Sequence, residues 1–163
     1  MAIETERKFL LASDGWRAGA GDGVRMVQGY FSGFGSPEEP APTVRVRIAG
    51  ARGFLTVKGR PSGWSRSEFE YEIPLADAEA MLREFCGARI VEKRRYRLPA
   101  GDGLVWEIDE YFGRNEGLFT AEIELPDPES SFFRPDWLGA EVSGDPRYTN
   151  GALSRCPFDC WGR

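Results

Sequence analysis

Histidine is absent from this chain of 163 residues. Its absence removes the commonest general base and the Ser-His and Cys-His nucleophile pairs. An enzyme built from this sequence must therefore use carboxylates, Lys, Arg, Tyr or a metal ion. The chain also has only three cysteines, so together with the lack of histidine it offers too few ligands for a zinc site.

Other absences narrow the class of protein further. Three is an odd cysteine count, and no basic and apolar leader opens the chain, so a disulfide framework is not expected. We predict reduced thiols at Cys156 and Cys160 in "CPFDC". No apolar run approaches the roughly 20 residues of a membrane span, and no Walker A sequence is present. These features predict a soluble cytoplasmic protein without a P-loop.

The composition that remains is that of a folded domain. Hydrophobic residues make up 41% of the chain and aromatic residues 13%, which argues against disorder. The length predicts a single domain over residues 1–163. A net charge of −5 makes non-specific binding to nucleic acid an unexpected function. We expect no nucleic-acid or membrane partner, and a homodimer stays open.

Residues that alternate between apolar and polar dominate the chain and predict strands. The predicted strands cover 3–10, 24–32, 43–49, 53–59, 66–74, 89–99, 104–113 and 118–126. Residues 75–86 have helical spacing of apolar positions and predict a helix. The last third predicts loops and short helices. Local connections between strands favour an antiparallel sheet or barrel with a few helices.

The polar face of nearly every predicted strand carries charges of one sign. They alternate with apolar residues, so they share one face. The charged positions are Glu4, Glu6, Lys8, Arg45, Arg47, Lys58, Glu68, Glu70, Glu72, Lys93, Arg95, Glu107, Asp109, Glu122 and Glu124.

Two arrangements explain this face. One is an antiparallel sheet or sandwich whose charged side lies in water. However, like charges two residues apart repel, which is unfavourable on a plain surface. The other is a barrel with the charges inside, where a polyanion satisfies the bases and divalent cations satisfy the acids. Carboxylates without nearby His or Cys are hard ligands that suit Mg²⁺ or Mn²⁺.

The sequence resembles the CYTH or triphosphate tunnel metalloenzyme family. It opens with the motif ExExK at Glu4, Glu6 and Lys8. The similarity continues in order along almost the whole chain, through "QGY", "RVR", "LTVKG", "EFEYEIP", "EKRRY", "WEID", "AEIEL", "PDWLGAEV" and "DPRYTNGAL". The chain is most similar to single-domain bacterial members, many of which hydrolyse inorganic tripolyphosphate. Adenylyl-cyclase members carry a His-containing segment that this chain lacks.

The resemblance implies an α+β fold, namely a closed eight-stranded antiparallel β-barrel with helices packed outside and a C-terminal helical segment. It also implies hydrolysis of a triphosphate with Mg²⁺ or Mn²⁺. By position, the metal ligands would be Glu4, Glu6, Asp109, Glu122 and Glu124. The phosphate-binding bases would be Lys8, Arg45, Arg47, Lys58, Lys93 and Arg95.

The resemblance also suggests roles for individual residues, some more specific than others. Lys8, Glu4, Glu6, Glu122 and Glu124 are the candidate catalytic residues. Glu70 matches a less well assigned acidic position, where a direct role and an ion pair that holds a base in place are equally open. The loop 33–42 looks longer than is common and is expected near one tunnel mouth.

Three other functions stay open. A nucleoside or thiamine triphosphatase would use the same tunnel as a tripolyphosphatase. A non-catalytic module would keep the bases and bind polyphosphate without turnover. A β-sandwich with a solvated charged face would bind neither metal nor phosphate.

Overall fold

A computed structural model of the chain describes residues 5–31, 42–59, 67–127 and 129–162. These residues form nine strands and two α-helices, α1 at Leu75–Phe85 and α2 at Asn150–Arg155. The strands are β1 Thr5–Leu11, β2 Val24–Tyr30, β3 Thr43–Ala49, β4 Arg52–Lys58, β5 Glu68–Ile73, β6 Ile90–Gly101, β7 Leu104–Tyr111, β8 Phe119–Leu125 and β9 Leu138–Glu141. Short 3-10 helices cover Gly15–Gly19, Gly113–Asn115, Pro146–Tyr148 and Phe158–Cys160.

The nine strands form one antiparallel sheet in the order β5-β4-β3-β2-β6-β7-β8-β1-β9. The predicted α+β class with an antiparallel sheet is thereby confirmed. Within the described residues, no hydrogen-bonded ladder joins β5 to the other edge of the sheet. Closure into an eight-stranded barrel therefore stays a prediction.

The ninth strand lies in a region that we expected to contain only loops and short helices. β9 has four residues and pairs with β1 at an irregular register. A segment this short shows too little alternation to be recognised from sequence. Its pairing is a tertiary effect, because β1 offers a free edge on the side away from β8.

The largest apolar core lies on the outer face of β1, β6, β7 and β8. Trp106 is its centre and contacts the rings of Phe9 and Trp137 edge-on, with centroids 5.8 and 5.5 Å apart. Trp16 of the first 3-10 helix covers the same face and packs on Tyr96. This burial stabilises the outer face and leaves the charged residues of the same strands on the inner face.

The predicted helix 75–86 is confirmed as α1, which covers the outer face of β3 and β4. Its Ala78 is fully buried against Val46 and Cys86. Two glycines on the facing strands allow this close approach. A Cβ at Gly53 would lie 2.7 Å from the Cβ of Ala78, and one at Gly29 would lie 2.5 Å from the Sγ of Cys86.

The C-terminal helix occupies a different place from the one expected. We predicted helices packed on the outside of the barrel, but Leu153 of α2 packs on Val91, Tyr111 and Leu118. Val91 and Tyr111 alternate in phase with Lys93 and the other charged residues, so they belong to the inner face. The inner face becomes apolar at this end, and α2 closes it there.

Two smaller findings bear on the class of protein. In the described part of the chain, no helix is both long and apolar enough to span a bilayer. All three cysteines are free, with Cys86 buried and Cys156 and Cys160 exposed. Reduced thiols at Cys156 and Cys160 stay a prediction.

We predict that Gly29→Ala lowers the free energy of unfolding by about 1–3 kcal/mol, because the added methyl group overpacks a filled core. Urea denaturation of the two proteins measures this difference. Gly19→Ala is the control, since its Cβ would meet only Leu98 at 3.7 Å. Equal stability of Gly29→Ala and wild type would contradict the close packing of α1 on the sheet.

Candidate active site

The inner face of the sheet surrounds a cavity of about 810 Å³. Strands β1 to β8 all contribute to its lining, and β4 and β7 supply one residue each, Lys58 and Glu107. Charged residues that line it are Glu6, Lys8, Arg45, Arg47, Lys58, Glu68, Glu70, Arg89, Lys93, Arg95, Glu107, Glu122, Glu124 and Arg155. The predicted charged face thus encloses a cavity, and the alternative of a plain solvated sheet is not supported.

Arg45 and Arg47 of β3 are held by one carboxylate on β5. Oε2 of Glu70 accepts from Nη2 of Arg45 at 3.1 Å and from Nη2 of Arg47 at 3.3 Å. The same oxygen accepts from the hydroxyl of Thr56 at 2.7 Å. Glu70 therefore holds both guanidinium groups in position through hydrogen bonds from one side.

The two arginines keep donors that the described part of the chain does not use. The Nε atoms of Arg45 and Arg47 are buried and have no hydrogen-bond partner among the described residues. Unpaired buried donors are unfavourable, so an acceptor is expected beside them. A phosphoryl oxygen in the cavity would satisfy this requirement and match the planar guanidinium geometry.

The pKa of Glu70 shows how strongly its partners act on it. Partial burial alone would raise this pKa, but the hydrogen bond from Thr56 and the charges of Arg47 and Arg45 outweigh burial and lower it. Glu70 therefore stays ionised in the basic part of the cavity. This geometry favours the interpretation of Glu70 as an ion-pair partner of the arginines.

A buried network joins β6 and β7 below the cavity. Oδ2 of Asp109 accepts from Nζ of Lys93 at 2.7 Å, and its two oxygens also accept from Nε and Nη2 of Arg95 at 2.7 and 2.8 Å. Lys93 is 1% exposed and Asp109 is fully buried. Every carboxylate oxygen of Asp109 is already bonded to a base.

Burial and the two bases shift the pKa values of this network in a consistent way. Burial and the charge of Arg95 lower the pKa of Lys93 to about 8, although Asp109 acts in the opposite direction. Burial would raise the pKa of Asp109, but Lys93 and Arg95 hold it well below its usual range. Asp109 is thus the counter-ion of two predicted phosphate-binding bases, and its role as a metal ligand stays a prediction.

The acidic part of the cavity lies on β1 and β8. Oε1 of Glu122 is 2.8 Å from Nζ of Lys8, and its Oε2 is 3.6 Å from Nη2 of Arg95. Burial would raise the pKa of Glu122, but Lys8 and Arg95 outweigh it and lower this pKa. Lys8 also donates to the carbonyl of Tyr148 at 3.0 Å, which fixes the ammonium group beside the acids.

Glu6 and Glu122 form a pair of like charges. Desolvation by the surrounding walls, and next the negative charge of Glu122, raise the pKa of Glu6 to about 7, although its side chain keeps contact with solvent in the cavity. A divalent cation between the two carboxylates would remove this repulsion. The pair therefore fits a hard cation through its charge and its oxygen donors.

The described residues contain no group of three or more His, Cys, Asp or Glu side chains that could hold a metal ion. Glu4, a predicted ligand, lies outside the described residues, as does 33–41 of the loop expected at a tunnel mouth. Mg²⁺ is commonly bound by one or two carboxylates together with water and substrate phosphates. Glu6 and Glu122, with Glu124 also lining the cavity, fit that kind of site.

Several lining residues were not among the predicted site residues. Gln28 and Tyr30 lie in phase on the strand predicted at 24–32, but they are neutral and gave no charge signal. Glu107 lies on the predicted charged face but has no role in the predicted site. It pairs with Arg95 and with Arg97. Asn150 and Arg155 reach the cavity from α2, and no local pattern could have indicated this.

The fold and the site together define a class of protein in which a curved antiparallel sheet brings cations and carboxylates around one anion-binding cavity. The CYTH domain model matches residues 2–149, and the chain belongs to the CYTH family. The inorganic triphosphatase of Acetivibrio thermocellus is 45% identical over 158 residues, covering 97% of each chain. The inorganic triphosphatase of Nitrosomonas europaea is 36% identical over 153 residues, covering 93% of this chain and 96% of the relative.

A solved structure agrees with these relatives. A crystal structure of an inorganic triphosphatase is similar to this chain with a TM-score of 0.68 and 33% identity. The similarity covers 94% of this chain and 95% of that protein. The fold and its connections are therefore shared over nearly the full length of both proteins.

We predict that Asp109→Asn lowers the free energy of unfolding by about 3 kcal/mol or more, because the change leaves the buried Lys93 without its counter-ion and removes one of the carboxylates paired with Arg95. Denaturation in the presence of a chelator measures this effect without any contribution from metal. Glu124→Gln makes the same chemical change at an exposed position and is expected to shift stability by less than about 0.5 kcal/mol. An equally small effect of Asp109→Asn would contradict the network.

Proposed function

We propose that this protein hydrolyses the terminal phosphoanhydride bond of inorganic tripolyphosphate to pyrophosphate and phosphate, with Mg²⁺ or Mn²⁺ as cofactor. One observation carries the proposal. The cavity collects cations from β1, β3, β4 and β6 and carboxylates from β1, β5, β7 and β8. A polyanion together with a divalent cation satisfies both sets. The two relatives named inorganic triphosphatase, similar over nearly their full lengths, support it.

The basic residues would bind the phosphate chain. We assign this role to Lys8, Arg45, Arg47, Lys58, Lys93 and Arg95, all of which line the cavity. The unpaired Nε atoms of Arg45 and Arg47 support the assignment. Charge builds on the phosphoryl oxygens during transfer, and donors that are already held in place stabilise it without reorganising.

The acidic residues would hold the cation. Glu6, Glu122 and Glu124 are our candidates among the described residues, and Glu4 completes the proposed set. A bound Mg²⁺ or Mn²⁺ would offset phosphate charge and polarise the attacking water. Lys8, held at 2.8 Å from Glu122, would donate to the terminal phosphoryl group beside these acids.

Asp109 and Glu70 would act through the bases. Asp109 orients Lys93 and Arg95, and its bonds to both support a positioning role ahead of direct metal ligation. Glu70 orients Arg45 and Arg47 in the same way. Each ion pair restricts a long basic side chain to the rotamer in which it can bind phosphate.

The proposal also covers the domain organisation, the closure of the sheet and the location of the protein in the cell. We infer that residues 1–163 form one domain, and that the sheet curls far enough to make a closed eight-stranded tunnel. Lining residues from β1 through β8 around one cavity support the tunnel. Free cysteines support a reducing, cytoplasmic location. A homodimer remains open.

We predict that replacing Glu122 and Glu124 together with Ala abolishes metal-dependent phosphate release, because the cation loses two of its oxygen ligands. A colorimetric phosphate assay with tripolyphosphate and Mg²⁺ measures this. Glu79→Ala with Glu84→Ala, two exposed positions on α1, is the matched control and should keep wild-type turnover. If the variant without Glu122 and Glu124 releases phosphate as fast as wild type, the assignment of these residues as ligands of the catalytic cation is wrong.

The choice of substrate has its own test. We expect tripolyphosphate to be hydrolysed faster than ATP or thiamine triphosphate, because the basic residues of the lining fit phosphate and the described lining offers little apolar surface for a base. A phosphate-release panel with these three compounds and pyrophosphate, each with Mg²⁺, Mn²⁺ or chelator, measures the order. Faster release from a nucleotide would assign the protein as a nucleoside triphosphatase, and binding without turnover as a polyphosphate-binding module.

A further inference from the structure

In the sheet order, β2 lies between two cationic strands, with β3 on one side and β6 on the other. Its inner-face residues Gln28 and Tyr30 are neutral. In the β2–β3 register, Tyr30 is opposite Arg45 and Gln28 is opposite Arg47. On the other side, the backbone N–H of Tyr30 donates to the carbonyl of Arg89. A neutral polar pair thus separates two sets of like charges.

Gln28 and Tyr30 are bonded to each other. Nε2 of Gln28 donates to the phenol oxygen of Tyr30 at 2.8 Å, and Gln28 is 1% exposed. Burial raises the pKa of Tyr30, although the nearby charge of Arg45 and the bond from Gln28 act in the opposite direction. Tyr30 therefore keeps its proton at neutral pH.

In either orientation of the amide, the pair keeps hydrogen-bond donors that have no acceptor among the described residues. As described, Gln28 donates to Tyr30, and the described residues give the phenol proton no acceptor. If the amide is rotated, its oxygen accepts the phenol proton and Nε2 becomes the free donor. The Oε1 atom of Gln28 is buried and has no partner in the described part of the chain, so neither orientation satisfies the pair there.

We propose that Tyr30 is a substrate-binding residue whose hydroxyl donates to a phosphoryl oxygen of the bound polyanion, with Gln28 as its positioning residue. This inference rests on the proposed function. Both side chains line the cavity beside Arg45 and Arg47. β2 is separated from the acidic strand β8 by β6 and β7. Tyr30 therefore contacts a phosphate that is not transferred.

A neutral donor has a physical advantage at this position. A further cation between β3 and β6 would repel Arg45 and the bases of β6, and a carboxylate would repel the substrate. A hydroxyl accepts from a neighbouring cationic or amide donor and still donates to an anion. The position therefore calls for the hydrogen-bond capacity of Gln28 and Tyr30 without added charge.

The test compares Tyr30→Phe with wild type. Because the lost contact is to a phosphate that does not react, we expect KM for tripolyphosphate to rise roughly tenfold with kcat changed less than about threefold. Calorimetric affinity for tripolyphosphate without metal should fall by a similar factor. Tyr96→Phe is the matched control: it also loses a bonded hydroxyl, here donating to Glu110 on the outer face, and should leave KM unchanged.

Gln28→Met supplies a second and independent measurement. It keeps the volume of the side chain and removes the bond to Tyr30, so KM should rise less than in Tyr30→Phe. The double variant should be no worse than Tyr30→Phe alone, because Gln28 acts through Tyr30. Additive effects of the two changes would overturn the positioning role of Gln28.

The outcomes separate this inference from the function on which it rests. If wild type releases no phosphate from tripolyphosphate, the proposed function fails, and the calorimetric comparison still decides the role of Tyr30. If wild type is active and Tyr30→Phe keeps wild-type KM and affinity, the inference is overturned. If Tyr30→Phe does not fold, an unchanged KM in Gln28→Met overturns it equally.

Discussion

The structure depends on how charges are kept on the inside of a sheet. A buried ion is unfavourable unless it is paired and hydrogen-bonded. Asp109 meets this condition most fully, because its two oxygens hold Lys93 and Arg95 at distances of 2.7 to 2.8 Å. Glu70 does the same for Arg45 and Arg47. Each of these carboxylates offsets the repulsion between two basic side chains, so that both can lie on the inner face of the sheet.

This pairing leaves the bases only partly satisfied. The Nε atoms of Arg45 and Arg47 have no partner among the described residues, and burial together with the charge of Glu122 raises the pKa of Glu6 to about 7. The unsatisfied groups are therefore opposite in sign on the two sides of the cavity. Among the described residues, cationic donors lack an acceptor on one side, and two carboxylates repel each other on the other. A phosphate chain with a divalent cation satisfies both groups, which is why the charge distribution and the family relationship lead to the same function.

The C-terminal segment completes the site from a distance in the chain. Lys8 donates to the carbonyl of Tyr148, and Nζ of Lys93 lies 3.4 Å from Oδ1 of Asn150. Leu153 anchors this segment on the apolar end of the inner face. The positions of two predicted phosphate-binding bases therefore depend on a segment that contains Tyr148 and the six-residue helix α2.

The sequence alone determined the alternation of charge and apolar residues, and with it the strands, the helix α1 and the candidates for both charged sets. Alternation is a local property with a period of two residues, so a single chain shows it directly. Only the tertiary structure decided which charges pair, that Asp109 serves two bases, and that Gln28, Tyr30 and Asn150 line the cavity. Those relations depend on register between strands and on the path of α2, and both are set by packing between residues far apart in the chain.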